Sequence, residues 1–202
     1  MINKTEGIDY SKDVNGFLCG RFQPLHFGHF EFIEAALERT NKLYIGITNP
    51  FFEAIEAINY QSSDRGRGRP ESNIFSFKER KRMIDSLMDR YFGQKEYEVL
   101  ECDLNQFNQI VKGLPDNTIL MTTIYDIWGK EKLNLFKNSK RPTEVLWNRD
   151  KKITNAGHVR HHLMNGKEWK TYVPMSTQKI IDDIGLDNII NRKKMPFNGN
   201  LR

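Results

Sequence analysis

Short apolar runs alternate with amphipathic segments along most of this chain of 202 residues. We predict strands at 16–19, 42–48, 96–101, 118–123 and 143–147. Between them, apolar side chains recur at helical spacing, and this predicts helices over 28–39, 76–92, 104–112, 127–137, 156–164 and 176–184. Alternating strands and helices need crossover connections, which produce a parallel sheet. We therefore expect an α/β fold with a parallel sheet of about five strands and helices on both faces.

The length suits a single domain of this Rossmann-like kind, with short appendages. We place a loose arm at 1–15, the folded domain at 16–184 and a polar C-terminal tail at 185–202 that trails over the surface. No apolar run reaches the roughly 18 to 20 residues that span a bilayer, so we expect no membrane partner. The N-terminal segment lacks the apolar stretch of a secretion signal. With two cysteines at no metal-type spacing, we predict a reduced, cytoplasmic protein.

Ligands of such sheets bind beyond the carboxyl ends of the strands, and the segment after the first predicted strand has the parts of a phosphate site. The chain can turn sharply at Gly20, and Arg21 offers planar donors to phosphate oxygens. A glycine at Gly28 lets an anion approach a helix N-terminus, where His26 and His29 can both face it. We assign phosphate binding to Gly20, Arg21, Phe22 and Gly28, and catalysis to His26 and His29.

The same segment, GRFQPLHFGH at 20–29, resembles the HxGH nucleotidylyltransferase superfamily. The longer pattern GRFQPxHxGH is typical of its nicotinamide mononucleotide adenylyltransferase-like branch. The resemblance implies that His26 and His29 contact a triphosphate and stabilise charge as the α–β bond breaks. The alternative is that both histidines are helix caps or surface residues. A zinc site is disfavoured because neither cysteine is adjacent to the histidines and no HExxH occurs.

A second segment, TNAGHVRHH at 154–162, again lies where a strand gives way to a helix. It resembles the superfamily's ISxTxIR signature, and Arg160 matches the arginine that binds the β and γ phosphates. The resemblance therefore adds Arg160 to the catalytic residues. The signature's Ser and Thr fall on Asn155 and Gly157. Asn155 remains a good helix N-cap, and Gly157 leaves backbone N–H groups open to phosphate. We add His158 to the phosphate-binding residues, whereas we interpret His161 and His162 as solvated.

Weaker candidates for the acceptor or base pocket come from two further segments. Asn73 and Arg80 fall in a segment that resembles the family's NPFTxGER stretch, although Arg80 could equally form a surface ion pair. Asp126 and Trp128 follow the fourth predicted strand, where Asp126 could equally be a plain helix cap. The Gly/Arg-rich loop at 64–70 is either a solvated loop or a mobile basic lid.

Together these features predict a nucleotidyltransferase that releases pyrophosphate. The resemblance supports two branches: CMP transfer from CTP to a small phosphorylated or phosphonate metabolite, which we favour, and adenylyl transfer from ATP to nicotinamide mononucleotide. We expect Mg²⁺ held by phosphates and water, with no protein metal cage. A homo-oligomer is compatible with the sequence. The net charge of +5 also leaves a non-catalytic nucleic-acid-binding protein open, although no groove-reading motif occurs.

Overall fold

The computed structural model describes residues 13–50 and 72–194. The strands are β1 (Asn15–Gly20), β2 (Lys42–Thr48), β3 (Glu96–Cys102), β4 (Thr118–Ile124) and β5 (Thr143–Asn148). The helices are α1 (Phe27–Leu37), α2 (Phe77–Tyr91), α3 (Phe107–Gly113), α4 (Ile127–Asn138), α5 (Ala156–Met164), α6 (Met175–Ile184) and α7 (Leu186–Lys194). Within these ranges, no helix is both long and apolar enough to cross a bilayer.

The five strands form one sheet in the order β3-β2-β1-β4-β5, and all neighbouring pairs are parallel. β2 and β3 lie on one side of β1, and β4 and β5 lie on the other side. Between β1 and β4, the pairing in the described residues runs from Asn15↔Thr118 to Phe17↔Leu120. The order of the strands reverses at this pair, and such a reversal leaves a crevice at the carboxyl edge of a parallel sheet.

Both faces of the sheet are covered. Side chains of a strand point alternately to opposite faces, so successive residues of β1 enter different cores. Leu18 joins the larger cluster, to which α1, α2, α5 and α6 all contribute apolar side chains. Phe17 and Cys19 join a smaller cluster with Phe107 of α3 and Phe136 of α4. The prediction of a five-stranded Rossmann-like α/β fold is therefore confirmed.

The C-terminal segment differs from the prediction. Residues 185–202 were expected to trail over the surface, but Leu186–Lys194 form α7. Ile189 of this helix is fully buried, and the guanidinium of Arg192 pairs with both carboxylate oxygens of Glu79 at 2.8 Å. The polar composition of the segment hid its few apolar positions. Of the predicted N-terminal arm, Asn15 already belongs to β1, and residues 1–12 lie outside the described residues, as does the predicted lid at 64–70.

Candidate active site

A cleft of about 460 Å³ lies at the carboxyl ends of β1 and β4, between the N-termini of α1, α4 and α5. It brings together most of the residues that the sequence singled out. Those that line it are Gly20, Arg21, Phe22, His26, Gly28, His29, Asp126, Trp128, Asn155, Gly157 and Arg160. The two motifs, more than a hundred residues apart in the chain, therefore share one cavity.

His26 and His29 cap the N-terminus of α1 and stack on each other. The Nδ1 atom of His26 accepts the backbone N–H of Gly28 at 3.1 Å, and the Nδ1 atom of His29 accepts the backbone N–H of His26 at 3.3 Å. The ring centroids are 3.8 Å apart, and the rings are tilted by 23°. Because both Nδ1 atoms accept, a neutral ring must carry its proton on Nε2. Helix capping and ligand contact, the two alternatives that the sequence left for these histidines, are thus compatible. Each ring caps α1 through Nδ1 and keeps an N–H donor at Nε2.

The surroundings keep both histidines neutral. Burial lowers the pKa of His26 to about 3, with further lowering from the positive charges of Lys152 and Arg160. Burial also lowers the pKa of His29 well below its usual value, assisted by His26, Lys132 and Arg21. Burial is the main cause of both shifts. The cleft is also lined by the cations Arg21, Lys132, Lys152 and Arg160, and these charges favour a polyanionic ligand.

The backbone between β1 and α1 is held tightly. Phe22 has a φ of +52°, a conformation that is uncommon for residues other than glycine, and its ring is fully buried. The ring packs against that of His29 at a centroid distance of 4.7 Å. A Cβ atom at Gly20 would come within 3.2 Å of the Phe22 ring. Gly20 therefore serves the site by leaving space for the aromatic ring that supports His29.

The N-terminus of α5 lines the same cleft. Asn155 is its N-cap, and the Oδ1 atom accepts the backbone N–H of His158 at 2.8 Å. A Cβ atom at Gly28 would lie 3.4 Å from the carbonyl oxygen of Thr154, so the two helix N-termini nearly touch. The guanidinium of Arg160 donates to the carbonyl oxygen of Gln23 at 2.6 Å. Two sets of helix N–H groups and this arginine therefore face one volume, as an anion site requires.

The opposite wall comes from the segment after β4 and from the connection that precedes α5. Asp126 caps α4, because its Oδ1 atom accepts the N–H of Gly129 at 2.9 Å, and its Oδ2 atom accepts from Lys152 at 2.7 Å. The residue is thus both the helix cap and a wall of the cleft. Sequence reasoning missed Lys152 and also Lys132, which is 8% exposed and lies one helical turn after Trp128. That i, i+4 spacing from a predicted site residue was the available signal.

Three predicted residues lie elsewhere. Arg80 is fully buried and donates to the carbonyl oxygens of Ser76, Arg21, Thr48 and Asn49, so it fastens the ends of β1 and β2 to α2 instead of facing a phosphate. Asn73 is buried next to this junction and does not line the cleft. The ring of His158 packs edge-on against Tyr172 at 4.7 Å, outside the cleft. Sequence spacing could not show the direction of these side chains.

The donor set of the cleft suits a metal ion that arrives on a ligand. In the part of the chain that the structure describes, no group of three or more His, Cys, Asp or Glu side chains could hold a metal. The carboxylate of Asp126 on the cleft wall already receives Lys152 and the backbone of α4. A hard divalent cation would therefore take phosphate oxygens and water as its main ligands.

Comparison with known proteins agrees with this geometry. The family model described as cytidylyltransferase-like matches residues 17–182. The chain is 32% identical over 176 residues to the phosphonoformate cytidylyltransferase of Streptomyces viridochromogenes, a match that covers 87% of this chain and 94% of that protein. It is 26% identical over 182 residues to the nicotinamide-nucleotide adenylyltransferase of Archaeoglobus fulgidus, covering 85% and 92% of the two chains.

Solved structures share the fold. A bifunctional NMN adenylyltransferase/ADP-ribose pyrophosphatase from Francisella tularensis, crystallised with AMP and a manganese ion, aligns with a TM-score of 0.61 at 19% identity. The alignment covers 91% of this chain, which spans about half (53%) of that longer protein. The nicotinic acid mononucleotide adenylyltransferase of Plasmodium falciparum, in complex with NaAD, aligns with a TM-score of 0.51 at 13% identity, over 87% of this chain and 98% of the other.

Proposed function

Because the chain belongs to the cytidylyltransferase-like family, we propose that it transfers a CMP unit from CTP to a small phosphonate or phosphorylated acceptor and releases pyrophosphate. Nucleotidyl transfer itself is the activity common to the similar enzymes, and the chain is a nucleotidyltransferase. The identities of the nucleoside triphosphate and of the acceptor form the proposal.

The observation that carries the proposal is the meeting of two helix N-termini around one positive cleft. The Nε2 atoms of His26 and His29 are left as donors by their caps, and Arg160 adds a planar guanidinium. Donors fixed before the ligand arrives stabilise charge that develops in the transition state without reorganisation. In this arrangement the triphosphate lies against α1 and α5, with its α-phosphorus next to the histidine pair.

The reaction is an in-line substitution at the α-phosphorus. A phosphate or phosphonate oxygen of the acceptor forms the new bond, while the bond from the α-phosphorus to the bridging oxygen breaks and its electron pair leaves with pyrophosphate. A phosphomonoester has a second pKa of about 6 and is largely dianionic at neutral pH, so the attack requires no strong general base. Positioning and charge stabilisation are the main contributions of the protein. His26, His29, Arg21 and Arg160 hold the triphosphate and the departing pyrophosphate.

A divalent cation, Mg²⁺, belongs to this proposal as part of the nucleotide substrate. It would neutralise the developing charge on the phosphate oxygens. The chain's own residues then bind the metal–nucleotide complex through His26, His29 and Arg160. We also propose a cytoplasmic location, since Cys19 and Cys102 are both free thiols.

One observation favours CMP transfer over adenylyl transfer. Identity is higher to the phosphonoformate cytidylyltransferase than to the nicotinamide-nucleotide adenylyltransferases, at 32% against 26% or less. Adenylyl transfer from ATP to nicotinamide mononucleotide is the second candidate, because several relatives carry that activity.

The experiment that tests the proposal is a pyrophosphate-release screen. ATP, CTP, GTP and UTP are each crossed with a panel of small phosphonates, phosphorylated metabolites and nicotinamide mononucleotide, with Mg²⁺ present. The expected result is turnover with CTP and at least one small phosphonate or phosphate ester. Turnover confined to ATP with nicotinamide mononucleotide would replace the first candidate by the second.

A further inference from the structure

Lys152 lies on the cleft wall at the carboxyl edge of the sheet, in the connection between β5 and α5. Its Nζ atom is 2.7 Å from the Oδ2 atom of Asp126 and 5.6 Å from the centre of the Tyr125 ring. It lines the same cleft as His26 and His29, and its charge adds to the effect of burial in lowering the pKa of both histidines. Lys152 therefore shares the cleft with His26 and His29, but its ammonium group is paired with the carboxylate of Asp126.

The bond between Lys152 and Asp126 is of a kind that exchanges easily. The side chains are 38% and 42% exposed, and ion pairs this open to water contribute little to stability. Asp126 also caps α4 independently of Lys152, because its Oδ1 atom accepts the backbone N–H of Gly129. When the lysine moves away, the carboxylate stays on the α4 N-terminus, on a side chain that is 42% exposed to water. Breaking the pair therefore leaves no buried charge behind.

A triphosphate is a stronger counterion for this lysine than one carboxylate. It carries several negative charges, and the attraction between two groups grows with the product of their charges. Lysine suits the exchange, since its ammonium is a point charge on a flexible stem, whereas the guanidinium of Arg160 is already directed by its bond to Gln23. The carboxylate, in turn, repels the same phosphates and opposes nucleotide binding while no cation shields it.

We propose that Lys152 is a further phosphate-binding residue, which exchanges its bond to Asp126 for one to the triphosphate when the nucleotide binds. The inference rests on the proposed function in that the triphosphate is the ligand of this cleft. Asp126 then acts as a competitor for the lysine, and the two residues have opposite effects on nucleotide affinity. A purely structural ion pair between α4 and the connection before α5 would instead give both residues effects of the same sign.

The test measures the equilibrium dissociation constants of CTP, ATP and inorganic tripolyphosphate, without acceptor, for Lys152→Gln and Asp126→Asn. Lys152→Gln is expected to raise the dissociation constant about tenfold, the effect of losing one hydrogen bond to a charged group. Asp126→Asn keeps a good N-cap and is expected to lower the constant by about 2- to 5-fold, the strength of an exposed ion pair. Lys152→Arg is expected to retain most of the affinity.

The neighbouring residues provide matched controls. Asp150→Asn and Lys151→Gln make the same charge changes in the same connection but outside the cleft, and both are expected to leave the dissociation constants unchanged. Effects of equal sign for Lys152→Gln and Asp126→Asn, or no effect of Lys152→Gln, overturn the inference even if the wild-type protein catalyses nucleotidyl transfer. Opposite effects on tripolyphosphate binding support it even if the pyrophosphate-release screen finds no turnover. A wild-type protein that binds none of the three probes overturns both proposals.

Discussion

The guanidinium of Arg160 donates to the carbonyl oxygen of Gln23 at 2.6 Å, although 137 residues separate them in the chain. The amide of Gln23 in turn exchanges two hydrogen bonds of 2.8 Å with the backbone of Phe75, the residue before the α2 N-cap. The turn after β1 therefore ties α5 to α2. This tie fixes Arg160 at the mouth of the cleft before any ligand binds, and such pre-organisation reduces the cost of binding.

Replacing Arg160 by alanine should weaken nucleotide binding. The variant loses a planar cation at the triphosphate site, so we expect the KM for the nucleoside triphosphate to rise about tenfold or more. Steady-state kinetics with the nucleotide varied provides the measurement. Arg82→Ala, which removes an exposed arginine paired with Asp183, is the control and should leave KM unchanged. An unaltered KM in Arg160→Ala would exclude the role assigned to this residue.

Replacing His29 by alanine should reduce the rate of the chemical step. We expect kcat to fall by about 10²- to 10³-fold, the effect of losing one pre-organised donor to developing charge. Because the ring also caps α1, the thermal midpoint of unfolding must be measured on the same sample. His161→Ala removes an exposed histidine outside the cleft and should be fully active. Near-normal kcat in a folded His29→Ala protein would remove the residue from the mechanism.

Gly20→Ala should lower activity through Phe22. The added Cβ atom would lie 3.2 Å from the Phe22 ring, which must shift and move His29 with it. Small displacements of catalytic groups are costly, and we expect kcat to fall about tenfold or more. Gly113→Ala is the matched control, since its Cβ atom meets nothing within 4 Å. Equal kcat values for the two variants would show that the ring does not position His29.

Arg80→Ala should destabilise the protein. The change removes one donor from the buried carbonyl oxygen of Thr48 and from the partly buried ones of Arg21 and Asn49, and we expect the free energy of unfolding to fall by about 3 kcal/mol. Denaturant titration measures this loss. Arg82→Ala on the exposed side of the same helix should change it by no more than about 0.5 kcal/mol. A folded, fully stable Arg80→Ala protein with a raised KM would instead restore the phosphate-binding role expected from the sequence.

The lowered histidine pKa values predict how stability depends on pH. His26 titrates near 3 when folded and near 6.5 when unfolded, so between these values the unfolded chain binds more protons. Stability from this residue is complete above about pH 6.5 and is lost as the pH falls, by at most about 1.4 kcal/mol per pH unit. Unfolding free energies measured from pH 7 to pH 4 should decline less steeply in His26→Asn. Parallel curves would contradict a neutral, buried His26.

The sequence sufficed for the fold and for much of the cleft, because both depend on local patterns. Hydrophobic periodicity located the five strands, and the HxGH segment lies where a strand meets a helix, so its position at the carboxyl edge followed. Arg80 was misassigned because a motif position does not reveal whether a side chain points to a ligand or to the backbone of its own fold. Lys132 was missed although it lies one helical turn after Trp128. Lys152 was missed because its place in the cleft depends on how the connection before α5 packs, which residue spacing does not encode.

The two segments that form the proposed phosphate site lie far apart in the chain. Residues 20–29 follow β1, and residues 154–160 follow β5. A partly folded chain that lacks either segment has no nucleotide site. Affinity for the triphosphate is therefore a property of the complete native state, and every bound nucleotide opposes global unfolding. At a free ligand concentration 100 times the dissociation constant, this linkage amounts to about 2.7 kcal/mol. The cell's own nucleotide pool would thus act as a stabiliser of the enzyme that consumes it.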